Sequence, residues 1–206
     1  MRLETPTTRL LKRVQSWQKA IVSHWAASPE FEAASIDRTT QNLILIILVL
    51  YLSEQQKIIP PGTLQRLSKS DRLLARLVSL WQDWQIRFKV QIEFDLSSRL
   101  ALPDRLLQEM LQDLYPPDSA QFSGLSSVVL GQVYEAILGS SVPTAGKPHR
   151  CRPNQKANGI YYTPAPIVQF MVEQTIGVLL PALSHASTFY VADPACGGGA
   201  FLLAAY

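Results

Sequence analysis

The sequence predicts a mainly α N-terminal domain followed by the opening of an α/β domain, in which a strand passes through a glycine turn into a helix. Three observations predict it. Apolar residues recur at helical spacing in several segments before residue 139. A stretch poor in apolar residues, holding Pro143, Gly146, Pro148 and Pro153, separates those segments from the rest. Beyond it the β-rich run Thr188-Phe189-Tyr190-Val191-Ala192 leads into Asp193-Pro194-Ala195-Cys196-Gly197-Gly198-Gly199. The organisation that follows is a helical domain over residues 1–139, a basic Pro- and Gly-containing linker over 140–158, and the start of the α/β domain over 159–206.

Composition sets the limits. A chain of 206 residues is enough for one large or two small domains. Hydrophobic residues make up 47% and charged residues 17%, which is globular and rather apolar. A net charge of +3 and a pI near 8.9 permit a nucleic-acid partner without demanding one. Two cysteines, Cys151 and Cys196, are too few for a disulfide framework. Glu4, Lys12 and Arg13 interrupt the N-terminal stretch, so no signal peptide is read there and a cytoplasmic location follows by default.

The helical domain justifies itself element by element. Leu10, Leu11, Val14, Trp17, Ile21, Val22 and Trp25 share one helical face, and Arg9, Lys12, Arg13 and Lys19 lie mostly off it. Such a helix can bind a membrane surface, but the apolar helices that follow favour packing against a neighbour. The run Leu43 to Leu52 is the most apolar in the chain. Its ten residues fall short of the roughly twenty that a membrane span needs, so a fully buried helix is predicted from about Asp37 to Lys57. Pro60-Pro61-Gly62 breaks the chain. Ser70 and Asp71 are placed to cap a second helix, with Leu73, Leu74, Leu77, Leu80, Trp81 and Trp84 on its apolar face. Those aromatics can be core residues or stacking platforms for bases, and helical spacing favours core. Pro103-Asp104 opens another helix carrying Leu106, Leu107, Met110, Leu111 and Leu114. A last one runs from Leu125 to Leu138, with Gly139 as its stop.

The linker concentrates Lys147, Arg150, Arg152 and Lys156 around His149. Four cations this close can neutralise phosphates of a nucleic acid, or be a solvated loop. His149 and Cys151 lack a second pair of ligands at useful spacing, so a metal site is not read. Further on, a helix is expected to start between Thr163 and Pro166. It would turn Ile167, Val168, Phe170, Met171 and Ile176 toward a sheet.

The glycine turn makes a place for a ligand. Glycine frees the backbone for positive φ and lets a ligand come close to the main chain. The helix start offers free N–H groups to an anion. The acid at the strand end can accept from an ammonium or hydroxyl of the same ligand. The nucleotide-phosphate loop is excluded because no lysine follows Gly199. The dinucleotide fingerprint fits poorly, because Leu202 stands where its third glycine or alanine belongs. A zwitterion such as the methionine end of S-adenosylmethionine suits the Asp-plus-glycine arrangement better. A plain glycine-rich turn is the alternative. Cys196, because it falls inside the loop, reads as a small packing residue rather than a nucleophile.

The stretch Asp193-Pro194-Ala195-Cys196-Gly197-Gly198-Gly199-Ala200-Phe201-Leu202 resembles the cofactor motif of adenine-specific DNA methyltransferases of restriction–modification systems. A second motif, Gly159-Ile160-Tyr161-Tyr162-Thr163-Pro164-Ala165-Pro166-Ile167-Val168, is similar to the stretch that precedes the cofactor loop in that family. Leu130-Gly131-Gln132-Val133-Tyr134-Glu135-Ala136-Ile137-Leu138 is similar to a segment just ahead of the methyltransferase domain, and the apolar helix resembles one near the N-terminus of larger members. The firm motifs cover residues 159–206. The resemblance implies a Rossmann-like methyltransferase domain that binds S-adenosylmethionine through Asp193, Ala195, Cys196, Gly197 and Gly199, with Tyr162, Thr163 and Pro164 covering it. It also implies DNA as a partner, with a restriction or specificity subunit or domain, or a further chain, beside it, and no membrane.

One family feature is missing. The amine of a flipped adenine is held by Asp, Asn or Ser followed by Pro-Pro and an aromatic. Pro60-Pro61 lies between Ile59 and Gly62, and Pro116-Pro117 between Tyr115 and Asp118, so neither fits. The acid that would hold the cofactor's ribose is absent too. No catalytic residue is therefore assigned. The chain reads as the N-terminal portion of an adenine methyltransferase, truncated in its cofactor domain and inactive alone, with weak cofactor affinity and a poorly stabilised 159–206 segment. An engineered piece, a fragmentary gene product and half of a split enzyme all stay open. So do a non-catalytic interaction protein with a vestigial loop and a methyltransferase for another substrate.

The linker supplies a test. If Lys147, Arg150, Arg152 and Lys156 contact phosphates, neutralising all four weakens DNA binding and lowers the slope of log affinity against log salt by about 4. Fluorescence anisotropy across a salt series measures it, and an unchanged slope leaves the solvated-loop reading.

Overall fold

A computed structural model describes residues 5–26, 33–90, 102–115, 125, 128–139, 163–182 and 188–206. The basic linker, Tyr162 and the Pro116-Pro117 pair lie outside these. The described elements are α1 (Pro6–Ala26), α2 (Ala33–Gln55), α3 (Thr63–Leu67), α4 (Leu73–Phe88), α5 (Asp104–Asp113), α6 (Val128–Gly139), α7 (Ala165–Leu179) and α8 (Ala200–Ala205).

Thr5 starts α1: its hydroxyl accepts the Thr8 N–H at 3.2 Å, and Pro6 occupies the position where a missing N–H costs nothing. Leu10, Val14, Trp17, Ile21, Val22 and Trp25 are buried as the helical spacing predicts. They pack on α2, whose Leu43, Ile44, Ile46, Ile47, Leu48, Leu50, Tyr51 and Leu52 are all buried. The segment Ile36–Gln55 is long and apolar enough to cross a membrane, but 67% of its 18-residue apolar window is buried inside the protein, as in a core helix. α6 packs on both α1 and α2, putting Val129, Val133 and Ile137 into the same core. α5 adds Leu107, Met110 and Leu111.

Polar pins sit at the edges of this core. Glu54 is buried at the C-terminal end of α2. Its carboxylate accepts the Gly62 and Leu64 N–H groups at 2.8 and 3.1 Å and the Tyr115 hydroxyl at 2.8 Å. One acid thereby caps α3 and ties down the end of α5. Burial, together with the Glu54 hydrogen bond and charge, raises the Tyr115 pKa. Burial and then the Glu54 charge push Tyr51 up to about 12. Trp84 Nε1 donates to Ser53 Oγ at 3.0 Å, and Trp17 Nε1 to Asp113 at 3.0 Å.

One local expectation changes. Ser70 and Asp71 do not cap α4: the Ser70 hydroxyl donates back to the Leu67 carbonyl, and Asp71 pairs with Arg76. The cap comes from Asp104, whose carboxylate accepts the Arg72 and Leu73 N–H groups at 2.8 and 2.9 Å. Arg72 takes φ 51° at that turn. Gly139, expected as the stop of the last helix, is the final residue of α6. On the apolar face of α4, Leu73, Leu77 and Trp81 are buried, and Leu74, Leu80 and Trp84 pack partly buried against them. Trp81 and Trp84 stack at 5.1 Å, so the aromatics are core rather than base platforms.

The C-terminal part is different. α7 and α8 pack on each other. In α7 only Val168 is buried, while Ile167, Phe170 and Met171 are exposed, Phe170 to 62%. Residues 188–192, expected as a buried strand, form no strand, and Tyr190 is 92% exposed. The reason is pairing. A central-type strand needs neighbours for its backbone groups, and no strand occurs among the described residues. The helical half of the expected architecture is present; a Rossmann-like sheet is not seen among the described residues.

Two substitutions check these assignments, the first by chemical denaturation and the second by amide exchange. Asp104→Ala removes a carboxylate that satisfies two helix-start amides, and is expected to lower stability by about 1–2 kcal/mol. Gly177→Ala places a methyl at ordinary contact distance, 3.7 Å from the Val172 carbonyl, in an exposed turn of α7. It is expected to stabilise that helix by about 0.5–1 kcal/mol, read as slower amide exchange in α7.

Candidate functional site

Residues 193–199 fold as two successive turns between the extended segment and α8. Asp193 starts them. Its Oδ1 accepts the Ala195 N–H at 3.0 Å, a short acid-to-backbone bond that sets the first turn. The second closes when the Gly199 N–H donates to the Cys196 carbonyl at 2.7 Å. The first intrahelical bond of α8 follows, from Leu203 N–H to Gly199 O at 2.8 Å, so the amides of residues 200–202 precede the helix's own bonding.

The three glycines answer to two different constraints. Gly197 has φ 52° and Gly199 φ 74°, in the left-handed region that side chains rarely adopt. A Cβ added at either would meet nothing within 4 Å, so space is open on that side of the loop. Gly198 takes no positive φ. Its constraint is contact: a Cβ there would sit 2.9 Å from the Cα of Gly131 in α6 and 3.6 Å from its nitrogen.

Of the residues expected to hold a cofactor, Asp193, Ala195, Cys196, Gly197 and Gly199 lie together in this loop. Thr163 and Pro164 lie at the start of α7, where the Pro164 carbonyl accepts the Ile167 and Val168 N–H groups at 2.9 and 3.1 Å. They connect to the loop through the packing of α7 on α8. Tyr162, like Lys147, Arg150, Arg152 and Lys156, lies outside the described residues. Cys196 is a free, exposed thiol, so the packing role expected for it is not what the structure gives.

The main chain at Gly197 and Gly199 is open on one side, and the Asp193 carboxylate stands at the loop's head. Sequence reasoning missed Gly131 and Gly198. The available signal was a glycine inside a helical pattern, Gly131 in α6, which costs helix stability and so points to a packing reason.

The family model for N-6 DNA methylase matches residues 126–206, which takes in α6, α7, the glycine loop and α8. Over that stretch the chain is similar to DNA adenine methyltransferases. Among curated proteins and among solved structures, nothing matches the chain.

A conformational test follows from the two left-handed glycines. Gly197→Val is expected to disrupt the turn, because a β-branched residue resists φ 52°. The readout is amide exchange at Ala195 to Ala200, at least about tenfold faster than wild type, with α2 unchanged. Wild-type exchange would mean that the loop does not depend on that conformation.

Proposed function

We propose that this chain carries the cofactor-holding part of an S-adenosylmethionine-dependent DNA adenine-N6 methyltransferase, of a restriction–modification or related defence system. The observation that carries the reading is the loop from Asp193 to Gly199, open at two left-handed glycines and lying inside the stretch similar to N-6 DNA methylase. In this reading the main chain around Gly197 and Gly199 takes the methionine carboxylate, and Asp193 accepts from the ammonium or a hydroxyl. Ala195 and Cys196 line the turn, and Tyr162, Thr163 and Pro164 cover the ligand. The bound cofactor supplies a methyl group activated on a sulfonium. The protein's own contribution at this loop is to bind and orient.

No run of Asp, Asn or Ser followed by Pro-Pro and an aromatic occurs in the sequence. The reading therefore assigns cofactor binding to these residues and leaves the holding of the adenine amine to groups beyond them. DNA is the proposed substrate, with Lys147, Arg150, Arg152 and Lys156 as phosphate contacts. A restriction or specificity subunit, or a chain that completes the sheet, is the proposed protein partner, in the cytoplasm.

A second reading has its own observation. The exposed apolar side chains of α7 and of residues 189–191 suit a non-catalytic partner-binding protein whose glycine loop is vestigial. Isothermal titration of the 206-residue chain with S-adenosylmethionine decides between them. The methyltransferase reading expects weak, saturable binding that falls at least about tenfold, or ~1.4 kcal/mol, in Gly197→Val. No binding by the wild type favours the vestigial loop.

A further inference from the structure

We propose that Gly131 and Gly198 form a backbone-to-backbone seat that fixes the glycine loop on α6, which makes Gly131 a positioning residue for whatever the loop holds. The cofactor part of this inference rests on the methyltransferase reading; the seat itself does not.

The argument starts from Gly198. Its backbone is not left-handed, so its own conformation would tolerate alanine. What forbids a side chain is the neighbour: 2.9 Å from an added Cβ to the Gly131 Cα is closer than Cβ atoms come. The obstructing atom is main chain and cannot rotate away. α6 cannot easily yield either. Gly131 is buried, and Val129, Val133 and Ile137 of the same helix are locked into the core, with α6 packed on α1 and α2. Any side chain at residue 198 must therefore lift the loop, and the loop is where Gly197, Gly199 and Asp193 sit.

The seat also explains a local oddity. A glycine within a helix costs stability relative to alanine. Gly131 stands in α6 within the apolar run Val128-Val129-Leu130-Gly131. Its lack of a side chain lets the loop's main chain come down onto the helix. The helical body thus sets the height and register of the loop, although the two are far apart in sequence.

The experiment uses the whole chain. In the wild type, a nuclear Overhauser contact between the Hα protons of Gly131 and Gly198 is expected; its absence in the folded chain overturns the seat. In Gly198→Ala, ligand-free amide exchange at Cys196 to Ala200 is expected to rise at least about tenfold, with α2 exchange unchanged. Wild-type exchange there also overturns the seat. Titration with S-adenosylmethionine then tests the positioning role. The Gly131 amide resonance is expected to shift in the wild type and not in Gly198→Ala, whose affinity falls at least about tenfold. Equal affinity with a displaced loop refutes positioning. A wild type that does not bind the cofactor refutes the methyltransferase reading, while the contact and the exchange still decide the seat. Gly177→Ala serves as the control and leaves all loop readouts at wild-type values.

Discussion

The helical body depends on covering α2. Eight of the ten residues from Leu43 to Leu52 are buried, and they point all round the helix rather than along one stripe. A helix of that kind has no face to give to water. It must be enclosed, and α1 and α6 pack against it. Each buried leucine or isoleucine contributes about 1.5–3 kcal/mol of transfer free energy, so the enclosure outweighs the polar pins many times over. The pins have another task. Glu54 and Ser53, at the end of α2, convert an apolar rod with no preferred rotation into one whose neighbours have fixed places. Burying the Glu54 carboxylate would be costly if its donors were missing, which ties the α3 turn and Tyr115 to it.

Much of that body is legible in the sequence because its signal is local. The spacing of Leu10, Val14, Trp17 and Ile21 describes one face of α1, and Pro103-Asp104 marks the start of α5. What was not legible is non-local. Ser70 and Asp71 have the chemistry of a cap for α4, and the bonds go instead to Asp104, supplied from another helix. The residues are right for the role; the geometry belongs to the fold. The run from Thr188 to Ala192 fails for a related reason. Its β propensity is a preference for a pleated, half-buried surface, and no described residue offers one.

The glycine loop shows how one sequence pattern can hide two physical causes. In the sequence, Gly197-Gly198-Gly199 is a uniform string, and only its ends were assigned to the site. In the structure the ends serve backbone conformation and the middle serves contact. Nothing local separates them, because the contact partner Gly131 lies in another element. The similarity to N-6 DNA methylase begins at residue 126, so it includes α6 along with the loop. The matched stretch thus contains both the glycine turn and the helix that its middle glycine closely approaches.

The Asp104 cap has a consequence for the order in which the chain can fold. A helix whose starting amides are capped by its own sequence can nucleate alone. α4 draws its start from a residue 31 positions beyond Leu73, so the free energy of its first turn arrives only when α5 has docked. During synthesis α4 emerges before its cap does. Its first turn is then an open end, and the helix is complete only after a loop has closed. The two helices therefore form one cooperative unit, in which the entropy of bringing distant residues together is met before the reward is collected.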